Sequence, residues 1–203
     1  MIDAPISTQV ASQPLRVTIL GGGSFGTAMA NLAARNGCDT RMWLRDAQTA
    51  QMMQTTRRNT RYLPDFEMDQ HLEFGADLAW AVKERDLILV AVPSHSFRSV
   101  LKQISPLITG QAVVSLTKGI EPDTFAMMSD IIKQELPEVP YGVLSGPNLA
   151  KEIMSGMPAG TVIASESEAV RFAVHQALAS SLFRVFANPD VHGVELGGAH
   201  KNI

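Results

Sequence analysis

The sequence predicts an α/β protein built on a doubly wound, mostly parallel sheet with helices on both faces. Three observations predict it. Short apolar, β-branched runs alternate with stretches of helical periodicity along nearly the whole chain, the pattern of parallel strands joined by helical crossovers. One run, Asp86-Leu-Ile-Leu-Val-Ala-Val-Pro93, is almost continuously apolar, as a strand covered on both faces must be. The first run ends in three consecutive glycines, Gly21 to Gly23, that open directly into a helical pattern.

Each element can be justified in turn. Residues 15–20 form the first strand, and residues 24–36 a helix with Ala28, Ala30, Leu32 and Ala33 at helical spacing, closed by Gly37. Residues 40–44 read as a second strand, followed by Asp46 as the N-cap of a polar helix. Residues 71–74 are a short strand, 77–83 a helix and 86–93 the buried strand. Three further strands are expected at 112–116, 141–144 and 160–164, with helices at 123–136 and 166–180 between and after them. A last strand at 183–186 precedes a helix beginning at Asp190. The expected division is a loose tail at 1–14, a cofactor-binding domain at 15–189 and the start of a second, helical domain at 190–203.

Composition excludes several classes. Of 203 residues, 45% are hydrophobic and 18% charged, the balance of an ordinary globular protein. A formal charge of −3 gives no broad positive field, so nucleic acid is not an expected partner and any anion must be held by a local site. The single cysteine, Cys38, excludes an intrachain disulfide and reads as packing at a strand entry. The first fourteen residues carry no Lys or Arg and no sustained apolar run, which argues against a signal peptide. The apolar run at 87–93 is far too short for membrane insertion. A cytoplasmic protein is expected, with a homodimer left open. No metal-ligand set stands out.

The chemistry begins at Gly21-Gly22-Gly23-Ser24-Phe25-Gly26, which satisfies G-x-G-x-x-G. By itself that pattern is weak. Here it follows a strand and opens a helix within one β-α-β unit, the context that makes it a dinucleotide site and the fold Rossmann-like. Gly21 permits the tight turn, Gly23 lets the backbone approach a pyrophosphate, and Gly26 lets helix and strand pack closely. The second strand ends at Trp43-Leu-Arg-Asp46, where the adenosine ribose is read. Arg45 favours a 2′-phosphate, hence NADP(H), whereas Asp46 in a register shifted by one residue would suit NAD(H).

Ligands of open α/β sheets bind at the carboxyl ends of the strands. The loop at Pro93-Ser94-His95 reads as a helix cap, by Ser94 or His95, in preference to a catalytic histidine. Thr117-Lys118-Gly119 places an ammonium just past a buried strand, in position for an anion. In Ser145-Gly-Pro-Asn148, Gly146 permits close approach, Pro147 suits a first helical turn, and Asn148 supplies a donor and an acceptor. Gly197-Gly198 sit inside a helical stretch just before Lys201-Asn202, and serve close packing or ligand approach.

Taken together, the segments GGGSFGTA (21–28), WLR (43–45), VAVPS (90–94), LTKG (116–119), SGPNLAKE (145–152) and FRVFANPD…GVELGGAHKN (183–202) resemble the bacterial NAD(P)-dependent glycerol-3-phosphate dehydrogenases. The resemblance runs over nearly the whole chain from Leu15. It implies interconversion of dihydroxyacetone phosphate, a small phosphorylated substrate, and sn-glycerol 3-phosphate, which feeds phospholipid synthesis. Lys201 is implied as the catalytic lysine, and Lys118 as a contact to both cofactor and substrate. Gly146, Asn148, Lys201 and Asn202 are implied at the substrate, and Ser24, Phe25, Arg45 and Ala150 at the cofactor. Two ammonium groups suit the chemistry, because ketone reduction develops negative charge on oxygen. Three departures stand out. Many relatives carry Ser or Thr where this chain has Asn148. His200 takes a position that is usually apolar. The helical domain that closes such enzymes is expected beyond Ile203, so the chain is expected to bind cofactor yet barely turn over. Two rivals are another two-domain NAD(P)-dependent hydroxy-acid dehydrogenase and a stand-alone nucleotide-binding module.

Overall fold

The computed structural model describes residues 13–199. Eight strands and eight helices follow one another: β1 (Arg16–Leu20), α1 (Ser24–Arg35), β2 (Asp39–Trp43), α2 (Ala47–Thr56), β3 (Glu73–Gly75), α3 (Leu78–Val82), β4 (Leu87–Val90) and α4 (Ser94–Ile104) come first. After a 3-10 turn come β5 (Ala112–Ser115), α5 (Met128–Glu135), β6 (Tyr141–Ser145), α6 (Ala150–Met154), β7 (Ala159–Ala164), α7 (Glu168–Leu178), β8 (Phe183–Asn188) and α8 (Val191–Ala199). They form one sheet of order β3-β2-β1-β4-β5-β6-β7-β8. Pairing is parallel except between β6 and β7, where Leu144 faces Ile163 in an antiparallel register. The sheet is thus mostly parallel and doubly wound, as the alternation predicts.

The central strands explain their own apolar runs. Val17 and Ile19 of β1, Leu87 and Leu89 of β4, and Val114 of β5 join the core that includes α1 and α7. Their neighbours Leu20, Ile88, Val90 and Val113 join a second core on the opposite face, with Phe97, Leu101 and Ile104 of α4 and Ile131 and Ile132 of α5. Successive side chains of a strand point to opposite faces, so a strand covered twice is apolar on both, and the buried Thr18 of β1 is accommodated by donating its hydroxyl to the Ala81 carbonyl.

Several local expectations change. Neither Ser94 nor His95 caps α4: Pro93 is its N-cap residue and no side chain makes a capping bond. The helix expected at 123–136 begins only at Met128. Pro122 disfavours a helical Glu121, the Glu121 carboxylate is held by Arg98, and Phe125 adopts a positive φ of 58°. Pro147 does not open a helix, because α6 starts three residues later with Leu149 as its N-cap. Cys38 is buried at the entry to β2, and burial pushes its thiol up to about 11. Among the described residues, no helix is long and apolar enough to cross a membrane.

Candidate functional site

The glycine loop joins β1 to α1 at the carboxyl edge of the sheet, and each glycine has its own reason to lack a side chain. Gly21 has φ +126°, and a Cβ there would lie 2.4 Å from the carbonyl oxygen of Ala91, just after β4. A Cβ on Gly26 would stand 2.3 Å from the Gly21 carbonyl and 3.1 Å from the Ala91 Cβ, so it is what lets α1 lie against the loop. Gly23 differs. It is the N-cap of α1 in ordinary extended geometry, and a Cβ built on it meets nothing within 4 Å. Its missing side chain leaves open space in front of a helix terminus that no side chain caps. The first N–H groups of a helix have no partner within it, so Ser24, Phe25 and Gly26 present donors at the positive end of the α1 dipole. This cradle fits a pyrophosphate.

Arg45 lies exposed two residues beyond the end of β2. The neighbouring carboxylate of Asp46 accepts from the Thr49 N–H at 2.7 Å and from the Thr49 hydroxyl at 2.5 Å, capping α2. Those hydrogen bonds hold its carboxyl below the usual range. Asp46 is therefore engaged with its own helix, while Arg45 faces solvent.

The strand-end loops form a connected row. Gly21 packs on Ala91; the Thr117 hydroxyl donates to the Val92 carbonyl at 2.7 Å; Lys118 Nζ donates to the Gly146 carbonyl at 2.8 Å. The row thus passes from β1 across β4 and β5 to β6. Beyond it, α8 crosses the end of β6 so closely that a Cβ on Gly198 would lie 2.3 Å from the Ser145 hydroxyl. Gly197, whose added Cβ would meet nothing, helps line a shallow cleft with Ser145, Gly146, Pro147 and Val162. Asn148 is 8% exposed, and neither its amide nitrogen nor its oxygen has a hydrogen-bond partner. Burying such a group without partners costs about 1–3 kcal/mol, so the side chain has a donor and an acceptor to offer at this end of β6.

Of the residues singled out from sequence, Gly21, Gly23, Ser24, Phe25 and Gly26 form the cradle, and Lys118 is bonded to Gly146. Asn148 and Ala150 belong to the same β6–α6 connection, with Ala150 opening α6. Lys201 and Asn202 lie outside the described residues, as does His200. His95 is exposed. Among the described residues no His, Cys, Asp and Glu side chains are grouped to hold a metal ion.

Two polar contacts were not anticipated. Asn59, 3% exposed in the irregular stretch between α2 and β3, bonds to the glycine loop. Glu195 of α8 is buried and takes both the N–H and the hydroxyl of Ser129, at 3.0 and 2.5 Å. Its signal was present in the sequence, an acid at helical spacing from Val191 and Gly198, both buried. Asn59 has no such local signal.

Residues 16–171 match the family model described as NAD-dependent glycerol-3-phosphate dehydrogenase N-terminus. The chain is 72% identical over 189 residues to glycerol-3-phosphate dehydrogenase [NAD(P)+] of Acinetobacter baumannii (strain SDF), covering 93% of this chain and 53% of that protein. It is 61% identical to the protein of the same name from Psychrobacter arcticus, covering 93% of this chain and 44% of that one. The crystal structure of glycerol-3-phosphate dehydrogenase from Coxiella burnetii superposes with a TM-score of 0.88 at 34% identity, over 93% of this chain and 58% of that one. The chain spans about half the length of the curated relatives it matches. Matched over most of its length and carrying the fold and glycine loop described above, this chain belongs to the family of NAD-dependent glycerol-3-phosphate dehydrogenase N-terminal domains.

Proposed function

We propose that this chain holds a nicotinamide dinucleotide, NADPH in preference to NADH, as the cofactor-binding half of an enzyme that interconverts dihydroxyacetone phosphate and sn-glycerol 3-phosphate. Residues 15–189 are the cofactor domain, and the chain from 190 begins a second domain. The carrying observation is the unbroken row along the carboxyl edge that starts at the open face of Gly23 and runs to Lys118 on the Gly146 carbonyl. The relatives' name, glycerol-3-phosphate dehydrogenase [NAD(P)+], supports the same reading.

The residues divide the work. The α1 terminus takes the pyrophosphate, and the Arg45 guanidinium reaches the 2′-phosphate, with Asp46 held back by Thr49. The nicotinamide, when bound, supplies the hydride to the ketone carbon. Charge then grows on the ketone oxygen, where Lys118 places a fixed ammonium that needs no reorganisation. Asn148 offers its unpartnered amide to a substrate oxygen. Lys201 gives that ketone oxygen its proton, the general-acid role.

Gly23→Ala tests the reading. Nothing stands where the new methyl goes, and the backbone is already extended, so the melting temperature should move by no more than about 2 °C. Calorimetric affinity for NADPH should fall at least about tenfold, because the methyl occupies the pyrophosphate's place. A well-folded parent that binds neither NADPH nor NADH, or a Gly23→Ala variant that binds as the parent does, would overturn the proposal.

A further inference from the structure

The glycine cradle does not hold itself in shape. Gly21 and Gly22 lack side chains, and the carbonyl that leads into Gly23 belongs to Gly22. The grip comes from the other side. Asn59, 37 residues further along the chain, donates from its amide nitrogen to the Gly22 carbonyl at 3.0 Å and to the Thr27 hydroxyl at 2.8 Å. The Thr27 hydroxyl in turn donates to the Gly23 carbonyl at 2.8 Å. The Asn59 side-chain oxygen accepts from the Tyr62 N–H at 3.3 Å, and its backbone carbonyl accepts from the Leu63 N–H at 2.8 Å. Both amide protons and the amide oxygen are used, at a site 3% exposed. A fully satisfied buried amide is rigid.

We infer that Asn59 is the positioning residue of the phosphate cradle. A trans peptide is planar, with its C=O and N–H pointing in opposite directions. Fixing the Gly22 carbonyl toward Asn59 therefore turns the N–H of Gly23, on the same peptide, the other way. Fixing the Gly23 carbonyl toward Thr27 does the same for the N–H of Ser24. Two consecutive donors are thus aimed away from the Asn59–Thr27 pair, at the open face of Gly23. Asn59 acts on the cofactor only through this backbone and needs no contact with it. The inference rests on the reading that this face takes a dinucleotide.

Three variants separate positioning from mere support: Asn59→Ala, Asn59→Asp and Thr27→Val. Asn59→Asp keeps the size and the acceptor for Tyr62 but sets an oxygen against the Gly22 carbonyl. Thr27→Val removes both bonds of the Thr27 hydroxyl, but it leaves intact the Asn59–Gly22 bond and the 2.9 Å bond from the Thr27 N–H that still holds the Gly23 carbonyl. Affinities for NADPH and NADH are measured by calorimetry well below each variant's melting temperature. Both Asn59 variants should bind both cofactors about tenfold to a hundredfold more weakly, the effect of losing a buried hydrogen bond that orients a donor. The loss should be equal for the two cofactors, since both carry the pyrophosphate. Thr27→Val should lose less than about threefold even where it lowers the melting temperature as much, because affinity follows the Gly22 grip and not stability. The Gly23 amide proton resonance should also be displaced in the Asn59 variants before any cofactor is added. Folded Asn59 variants with parental affinity, or a Thr27→Val loss equal to theirs, would overturn the inference while leaving the cofactor reading intact. A parent protein that binds no dinucleotide would remove the reading on which both rest.

Discussion

Lys118 donates its ammonium to the carbonyl of Gly146 at 2.8 Å, and so joins the loop after β5 to the loop after β6. Under the proposed function, this cation serves a substrate anion as well as the fold. In the complete enzyme, Lys118→Ala should lower kcat/KM for dihydroxyacetone phosphate by at least about a hundredfold, the scale of losing a preplaced charge. Lys118→Arg should recover only part, because a planar guanidinium does not replace a point charge. Steady-state kinetics decide the matter, and an Ala variant within a few-fold of the parent would exclude the role.

Cofactor preference should depend on Arg45. Arg45→Ala should weaken NADPH by about 1–3 kcal/mol, the worth of a charged hydrogen bond, and leave NADH nearly unchanged. Asp46→Ala should instead lower stability by about 1 kcal/mol through loss of the α2 cap. Calorimetric titration of both variants with both cofactors checks this. Equal losses of NADPH and NADH in Arg45→Ala would assign the guanidinium another task.

Glu195 gives the protein a pH dependence of definite sign. Burial raises its carboxyl above the ordinary value of 4.5, with Asp130 adding to the shift, against the two hydrogen bonds from Ser129. A raised acid favours the folded state fully below the unfolded value, and the contribution fades as pH rises through the folded one. In Glu195→Gln the amide oxygen can keep the Ser129 N–H and the amide nitrogen can donate to the Ser129 hydroxyl. That variant should match the parent near pH 4, exceed it in stability at pH 7 to 8, and show a flatter profile between. Urea melts across that range measure it.

Cys38 should be inert in the native protein. It is 6% exposed, and its thiol is pushed from 9.0 to about 11. At pH 8 the thiolate is about a hundredfold scarcer than for an exposed cysteine, before access is counted. Labelling by iodoacetamide should be negligible until denaturant is added and then reach one equivalent. Rapid labelling of folded protein would show that the β2 entry opens.

How far the site can be read from sequence follows from how local each signal is. Gly21, Gly23 and Gly26 fall within six successive positions between a strand pattern and a helix pattern, and that context announces a strand-turn-helix that approaches a phosphate. Arg45 and Lys118 are legible because each follows a recognisable strand. The sequence leaves Asp46 open between an N-cap and a ribose contact, and the structure shows the capping bonds to Thr49. Asn59 was invisible: it sits in an irregular segment without periodicity, and its partners Gly22 and Thr27 are more than thirty positions away. The late start of α5 was hidden for another reason. The sequence from 123 is compatible with a helix, but the loop's bonds to Arg98 and the positive φ of Phe125 hold residues 121–127 out of it.

The single antiparallel pairing between β6 and β7 decides where the chain goes next. Because β7 and β8 run against the other six strands, β8 finishes at the floor of the sheet, where Val191 packs beside Val143 and Ala164. Helix α8 must then climb, and it reaches the rim with Gly198 against Ser145. Had all eight strands run one way, the helix after the last would have started at the rim and descended. The reversal brings α8 to the candidate site without a long connecting loop. Helix α8 thus ends with Gly198 beside Ser145, and a shift of one residue in the β8–α8 corner would rotate its rim-facing residues by about 100°.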